Sequence, residues 1–180
     1  MNRVTASDAI EILSVLDRVG VPVCIDGGWG IDALLAEETR PHGDLDLALD
    51  RSALDRAKAA LEELGFRHAP AAEPGLPARL VMRDERGRQV DFHPLMFDAR
   101  GDGWQQLSKS GRAWGRYPAE HLQANGTIGG RQVSCLSAEL QVRFRLPFEW
   151  TETDEHDLRL LLARFDGLPV PPPLWGGQAA

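Results

Sequence analysis

Apolar residues recur at helical spacing along the first twenty positions, with Ala9, Ile12, Leu13, Leu16 and Val19 on one face. Thr5-Ala6-Ser7-Asp8 offers a capping box before this stripe and Gly20 a stop after it, which predicts a scaffold helix. Val21 to Ile25 reads as a buried strand, Asp26-Gly27-Gly28 as a tight turn, and Trp29 to Glu37 as a short helix with Ile31, Leu34 and Leu35 as its apolar stripe. The period then changes to two. In Asp44-Leu45-Asp46-Leu47-Ala48-Leu49 the two aspartates fall on one face and the three leucines on the other, as in a half-buried strand. Ser52 opens a further helix with Leu54, Ala57, Leu61 and Leu64 on one side and Gly65 after it, placed to cover the sheet.

Downstream, Ala78 to Met82 and Arg88 to Leu95 read as two strands around Glu85-Arg86-Gly87. In the second of them Asp91 shares a face with Gln89 and His93, while Val90 and Phe92 face the other way. Asp98 to Gly126 is rich in glycine and long for a loop, which predicts a lid or a binding wall. Thr127 to Leu136, with Gly129-Gly130 at its centre, reads as a hairpin, Ser137 to Arg145 and Thr153 to Phe165 as two helices, and Pro169 to Ala180 as an unstructured end. No internal repeat or low-complexity block interrupts this order, so the pattern predicts an α/β (α+β) chain.

The 180 residues are 43% hydrophobic, enough to bury the core of one ordinary globular domain. No uninterrupted apolar run approaches the length of a membrane span and no hydrophobic signal region opens the chain, so a soluble, cytoplasmic protein is expected. The two cysteines, Cys24 and Cys135, lie in no Cys-x-x-Cys or zinc-like spacing and read as buried thiols. A formal charge of −7 argues against a protein built to grip long nucleic acid and suits a small cationic ligand, although most of the excess lies before Leu95, near the paired aspartates.

Those aspartates are the richest candidate chemistry. Adjacent carboxylates repel, and a hard divalent cation such as Mg2+ between them, sharing substrate phosphates, gives the pairing a purpose. Alternating acids along a strand are often only its solvated side. Here a glycine pair before a helix N-terminus lies about fifteen residues upstream, where backbone N–H groups and the helix dipole receive phosphate oxygens. Arg40 and His42 precede the acidic strand and are candidates to contact a triphosphate. Trp104, Trp114 and Tyr117, interleaved with Lys109, Arg112 and Arg116, either stack a ring or pin the segment to the core. The acidic run Glu149, Glu152, Asp154, Glu155 and Asp157 either caps a helix or holds an amine.

Gly27-Gly28-Trp29-Gly30-Ile31-Asp32 followed by Thr39-Arg40-Pro41-His42-Gly43-Asp44-Leu45-Asp46 resembles the nucleotidyltransferase superfamily, and within it the small aminoglycoside and lincosamide O-nucleotidyltransferases. The match is dense from Asp26 to Asp46, looser from about Val90 to Asp157, and absent in the Pro-rich end. The resemblance implies a nucleotidyltransferase fold, a small mixed sheet flanked by helices with further helices at the C-terminal side. It implies one domain over 1–168, with a catalytic core near 20–97, an acceptor side near 98–168 and a tail from 169 to 180. It also implies transfer of AMP, or another nucleoside monophosphate, from ATP or another triphosphate to a hydroxyl of a small acceptor with release of pyrophosphate. Asp44, Asp46 and Asp91 would be the catalytic and metal-binding acids with Mg2+, Asp91 as ligand or base, and Gly27, Gly28, Arg40 and His42 would seat the phosphates. Many superfamily members carry Ser where this chain has Gly28, which leaves phosphate binding more dependent on backbone groups, Arg40 and His42. The expected partners are the triphosphate and a hydroxylated, cationic acceptor, with no membrane or nucleic acid, in a monomer or homodimer. Two rivals stand beside this expectation: a same-fold transferase acting on tRNA or a protein, and a non-catalytic nucleotide-binding module.

Overall fold

The computed structural model of the chain describes residues 3–69, 77–146 and 149–169. Helix α1 (Ala6–Arg18) begins at the anticipated box: Thr5 caps it, its hydroxyl accepting the Asp8 N–H at 3.2 Å while the Asp8 carboxylate accepts the Thr5 N–H at 3.0 Å. Strand β1 (Val23–Asp26) runs directly into helix α2 (Gly27–Leu35). The turn expected at Asp26-Gly27-Gly28 is therefore a correction: Asp26 is the N-cap, accepting the Gly27 N–H at 2.6 Å, and the two glycines form the first helical turn. Strand β2 (Leu45–Asp50), a 3-10 turn at Arg51–Ala53 and helix α3 (Leu54–Glu63) follow, so the helix anticipated from Ser52 opens with a tighter turn.

Strands β3 (Arg67–Ala69), β4 (Leu80–Arg83) and β5 (Gln89–Phe97) come next. The segment read as a long loop, Asp98 to Gly126, instead carries β6 (Gly103–Gln106) and β7 (Trp114–Tyr117) and the start of β8 (Ala124–Ile128). Its glycines and charges mask short strands: β6 pairs with β5, β7 with β6 and β8 with β9, and the β5–β6 pairing is one that no local pattern encodes. Strand β9 (Arg131–Cys135) closes the anticipated hairpin at Gly129-Gly130. Helices α4 (Ala138–Arg145), capped by Ser137, and α5 (Glu152–Arg164), capped by Thr151, complete the described elements. The expectation for the end lies outside the described residues beyond Pro169.

The sheet is mixed, in the order β3-β4-β5-β2-β1-β9-β8, and β6 and β7 extend it from β5. Its parallel contacts are β2 with β5 and β1 with β9; the others are antiparallel. One face carries Ile25, Leu45, Leu47, Leu49, Val90 and Phe92 into a core shared with Ile12, Leu16, Ala57 and Leu61 of α1 and α3. Fully burying each such aliphatic side chain contributes roughly 1.5–3 kcal/mol. On the opposite face Cys24, Ala48 and Leu95 pack with Tyr117, Leu136 and Leu140, so the carboxylate side of the sheet is only partly roofed. Helix α2 lies between layers: Trp29 and Ala33 join the main core, and Ile31 packs with Val142, Leu158 and Leu161 of α4 and α5. Cys24 and Cys135 are free, buried thiols, and burial pushes the Cys135 thiol up to about 12. Among the described residues no helix is long and apolar enough to cross a membrane.

Candidate active site

The site is written by strand register. Asp46 on β2 is the direct partner of Asp26 on β1 and of Asp91 on β5, so three carboxylates form one row across adjacent strands and share the face left open by the packing. Asp44 precedes β2 by one residue and lies two positions before Asp46, hence on the same side. Asp26 belongs to this row, yet alternation does not mark it; its only sequence signal is its place at the end of β1, next to the first glycine.

Helix α2 begins over this row. Gly27 has φ +62°, a conformation that L side chains rarely adopt, and a Cβ there would stand 2.2 Å from Asp46 Oδ2. A Cβ on Gly28 would meet His42 Nδ1 at 2.5 Å and Arg40 Nη2 at 2.6 Å. The Gly28 position that carries Ser in many resembled enzymes is thus filled by Arg40 and His42 in this chain. His42 is buried, lies 2.5 Å from Asp32 through Nε2 and packs on the Trp29 ring at 4.6 Å. Arg40 is bidentate on Asp157 of α5, with Nε–Oδ1 and Nη2–Oδ2 both 2.8 Å, and its Nη1 is 3.1 Å from His42 Nδ1. The acidic run near the C-terminal side therefore divides: Asp154 caps α5 with Thr151, while Asp157 turns inward as the partner of Arg40.

Asp91 is 1% exposed. Its Oδ1 accepts the Gln89 side-chain amide at 2.7 Å, and Arg79 lies 3.1 Å from Oδ2. The Gln89 amide also reaches toward Asp44 at 3.4 Å, and His93 Nε2 lies 3.0 Å from Asp46 Oδ1. Tyr117 is buried with its ring edge against Phe144 at 4.8 Å, whereas Trp104 and Trp114 bond Asp98 and the Gly111 carbonyl on the outer strands. Of the three aromatics singled out, Tyr117 alone belongs to the buried face.

Crowded charge shows in the acidities. Burial, then the charges of Asp46 and Asp91, push Asp44 up to about 6. Burial and Asp46 raise Asp91, with Gln89 and Arg79 opposing, and burial raises Asp26 against the pull of His93. For His93, burial disfavours the charged ring, but the hydrogen bond to Asp46 and the charges of Asp46, Asp26 and Asp91 outweigh it and raise its pKa. Such a set of like charges accommodates a cation. Among the described residues, no group of three or more His, Cys, Asp or Glu is arranged to hold a metal by itself. Two carboxylates completed by phosphate oxygens and water are nevertheless a donor set that Mg2+ takes, and Asp44 and Asp46 fit it.

A family model for aminoglycoside-2''-adenylyltransferases matches residues 8–161. The chain belongs to that family. As a member of the aminoglycoside-2''-adenylyltransferase family it is a nucleotidyltransferase enzyme, and its mixed α+β fold is that of nucleotidyltransferases. A lincosamide resistance protein of Staphylococcus haemolyticus is 27% identical over 161 residues, which cover 89% of this chain and 96% of that protein. A 2''-aminoglycoside nucleotidyltransferase of Klebsiella pneumoniae is 32% identical over 129 residues, 72% of this chain and 66% of its own length. Among solved structures, the lincosamide antibiotic adenylyltransferase LnuA, in its lincomycin-bound form, superposes with a TM-score of 0.76 at 27% identity, covering 89% of this chain and 98% of that one. The fold is also shared with ANT(2'')-Ia in complex with adenylyl-2''-tobramycin, at a TM-score of 0.66 and 24% identity.

Proposed function

We propose that this adenylyltransferase-family member moves AMP from ATP to a hydroxyl of a small antibiotic, releasing pyrophosphate, and that Asp44 and Asp46 hold Mg2+. The observation that carries the reading is the register of β2 against β5, which sets Asp46 beside Asp91 directly under the first turn of α2. When bound, the metal supplies a Lewis acid that offsets phosphate charge. The chain's own groups do the rest. The Gly28 N–H at the N-terminus of α2 receives a phosphate oxygen, Gly27, whose own N–H is held by Asp26, leaves room for the phosphate to approach, and Arg40 and His42 stand beside them. Asp91, held by Gln89 and Arg79, accepts the proton of the acceptor hydroxyl as its oxygen bonds to the α-phosphorus and the bond to pyrophosphate breaks. Gln89 and Arg79 oppose the rise in the Asp91 pKa that burial and Asp46 cause, and so favour the ionised form that a base requires.

The near full-length match to the lincosamide resistance protein and the TM-score of 0.76 to lincomycin-bound LnuA support a lincosamide-class acceptor, while the 32% identity to an aminoglycoside nucleotidyltransferase, over a shorter stretch of 129 residues, keeps aminoglycosides in the test. The test is a transfer assay with α-labelled ATP and Mg2+ against a panel of lincosamides and aminoglycosides, with mass spectrometry of products. A lincosamide gaining one AMP is the expected result. Modification of aminoglycosides alone overturns the acceptor class, and no labelled product with any panel member overturns the small-antibiotic reading.

A further inference from the structure

Gln105 on β6 is buried, in the segment whose sequence reads as a loop. Its amide nitrogen Nε2 donates to the Ala78 backbone carbonyl at 2.8 Å and lies 3.0 Å from His93 Nδ1, while Oε1 accepts the Tyr117 hydroxyl at 3.1 Å. A backbone carbonyl only accepts, and this fixes which end of the amide is nitrogen: the flipped amide would set oxygen against oxygen at Ala78. Both Nε2 hydrogens are then committed, one to Ala78 and one to His93. The atom facing His93 Nδ1 is a donor, so Nδ1 must accept and the ring proton belongs on Nε2. That nitrogen lies 3.0 Å from Asp46 Oδ1. A proton on Nδ1 would point at the Gln105 N–H, whereas one on Nε2 points at the Asp46 carboxylate, so the hydrogen-bond geometry favours Nε2 as the donor.

We propose that Gln105 is a positioning residue for the transfer reaction, acting through His93 to hold the Asp46 carboxylate in one orientation. With Oδ1 engaged by the imidazole N–H, Oδ2 is turned toward Gly27, where a Cβ would stand only 2.2 Å from it. The chain Ala78 carbonyl, Gln105 amide, His93 ring and Asp46 carboxylate thus ties the phosphate-facing oxygen to a backbone group on the stretch leading into β4. An outer partner that orients an inner carboxylate in this way typically governs about 10–100-fold of metal affinity or activity. The inference rests on the reading of Asp46 as the carboxylate that meets metal and phosphate.

The test has two arms. In the first, the full-length chain labelled with 15N-histidine, without nucleotide or metal, is studied at neutral pH by long-range 1H–15N correlation, with a His93→Asn variant to assign the ring. The expected pattern has Nε2 protonated and Nδ1 bare, and Gln105→Glu, whose carboxylate accepts, moves a proton onto Nδ1. A protonated Nδ1 in the unmutated chain overturns the proposal whether or not the enzyme transfers AMP, which separates its failure from failure of the proposed reaction. In the second arm Gln105→Glu and Gln105→Leu are assayed for transfer of AMP, with their folding checked by thermal melting. The expected result is kcat lower by about tenfold or more, with the KM for ATP changed by less than about threefold. Unchanged kcat in a folded variant overturns the positioning role and leaves Gln105 a brace for β6. Should Gln105→Leu fail to fold, the near-isosteric Gln105→Glu and the spectrum of the unmutated chain still decide.

Discussion

Asp46 and Asp91 are direct partners across the parallel pair of β2 and β5, so one hydrogen-bond register sets how far apart two carboxylates stand. A slip of one residue would turn Asp91 into the leucine-lined core and bring Val90 or Phe92 to the open face. The spacing of these two acids and the packing of the core are therefore the same constraint.

Asp46→Asn is expected to lower transfer by at least about a hundredfold, because it removes a charge that the proposed reaction sets against phosphate and metal. The fold survives, since an amide oxygen still accepts from His93, and relief of like-charge repulsion with Asp44 and Asp26 raises the melting temperature of the metal-free protein slightly. Steady-state turnover and a thermal melt check both halves; near-normal turnover rules out the metal-facing role.

Asp91→Asn separates binding from catalysis. Loss of the proposed proton acceptor should cut kcat by about 10²–10⁴-fold, while ATP should still bind in the presence of Mg2+, because the proposed phosphate contacts come from α2 and Arg40. Calorimetric titration with a non-hydrolysable ATP analogue, beside single-turnover kinetics, tests this; a variant that binds and turns over normally makes Asp91 structural.

Arg40→Ala leaves Asp157, 2% exposed, without its bidentate partner, with Arg145 at 3.7 Å as partial compensation. A loss of about 2 kcal/mol or more is expected, seen as a fall in melting temperature of about 4–8 °C. The apparent KM for ATP rises with it if Arg40 seats phosphate. Normal ATP kinetics in a destabilised variant would assign Arg40 to tethering α5 alone.

The acidity of Asp44 gives a pH signature. Its pKa is pushed up to about 6 in the folded chain from an ordinary 3.8, so the protonated form favours the fold. That contribution is complete below about 3.8 and is lost as pH climbs through about 6. Comparing melting temperatures of the metal-free wild type and Asp44→Asn from pH 4 to 7, the wild type should lose ground to the variant as pH rises. Mg2+ should restore it above pH 6, where the metal no longer competes with a proton. A constant difference across that range contradicts the assignment.

How much of this was legible beforehand follows the range of the interactions. Strand β2, the capping box of α1 and the helix α4 are local patterns, and the structure has them where the sequence pattern puts them. The alternation in β5 placed Asp91 on the face of His93, and the β2–β5 register adds that it lies opposite Asp46. What stayed hidden depends on distant partners: Asp157 is 117 residues from Arg40, and Gln105 reads as loop until β5 supplies a strand to pair with. Asp26 escaped notice because it doubles as a helix cap, a role that already explains an aspartate before two glycines.

The span of the Arg40–Asp157 pair also bears on how the enzyme comes into being on the ribosome. A nascent chain has synthesised all of its row of acids by the time β5 ends at Phe97, yet the arginine beside the helix N-terminus gains its anchor only after α5 has been synthesised and has docked. Fragments released early would then hold the whole row of acids with Arg79 and His93 beside it but leave Arg40 without its anchor, and a stop codon placed before Asp157 would remove that anchor while sparing every acid of the row.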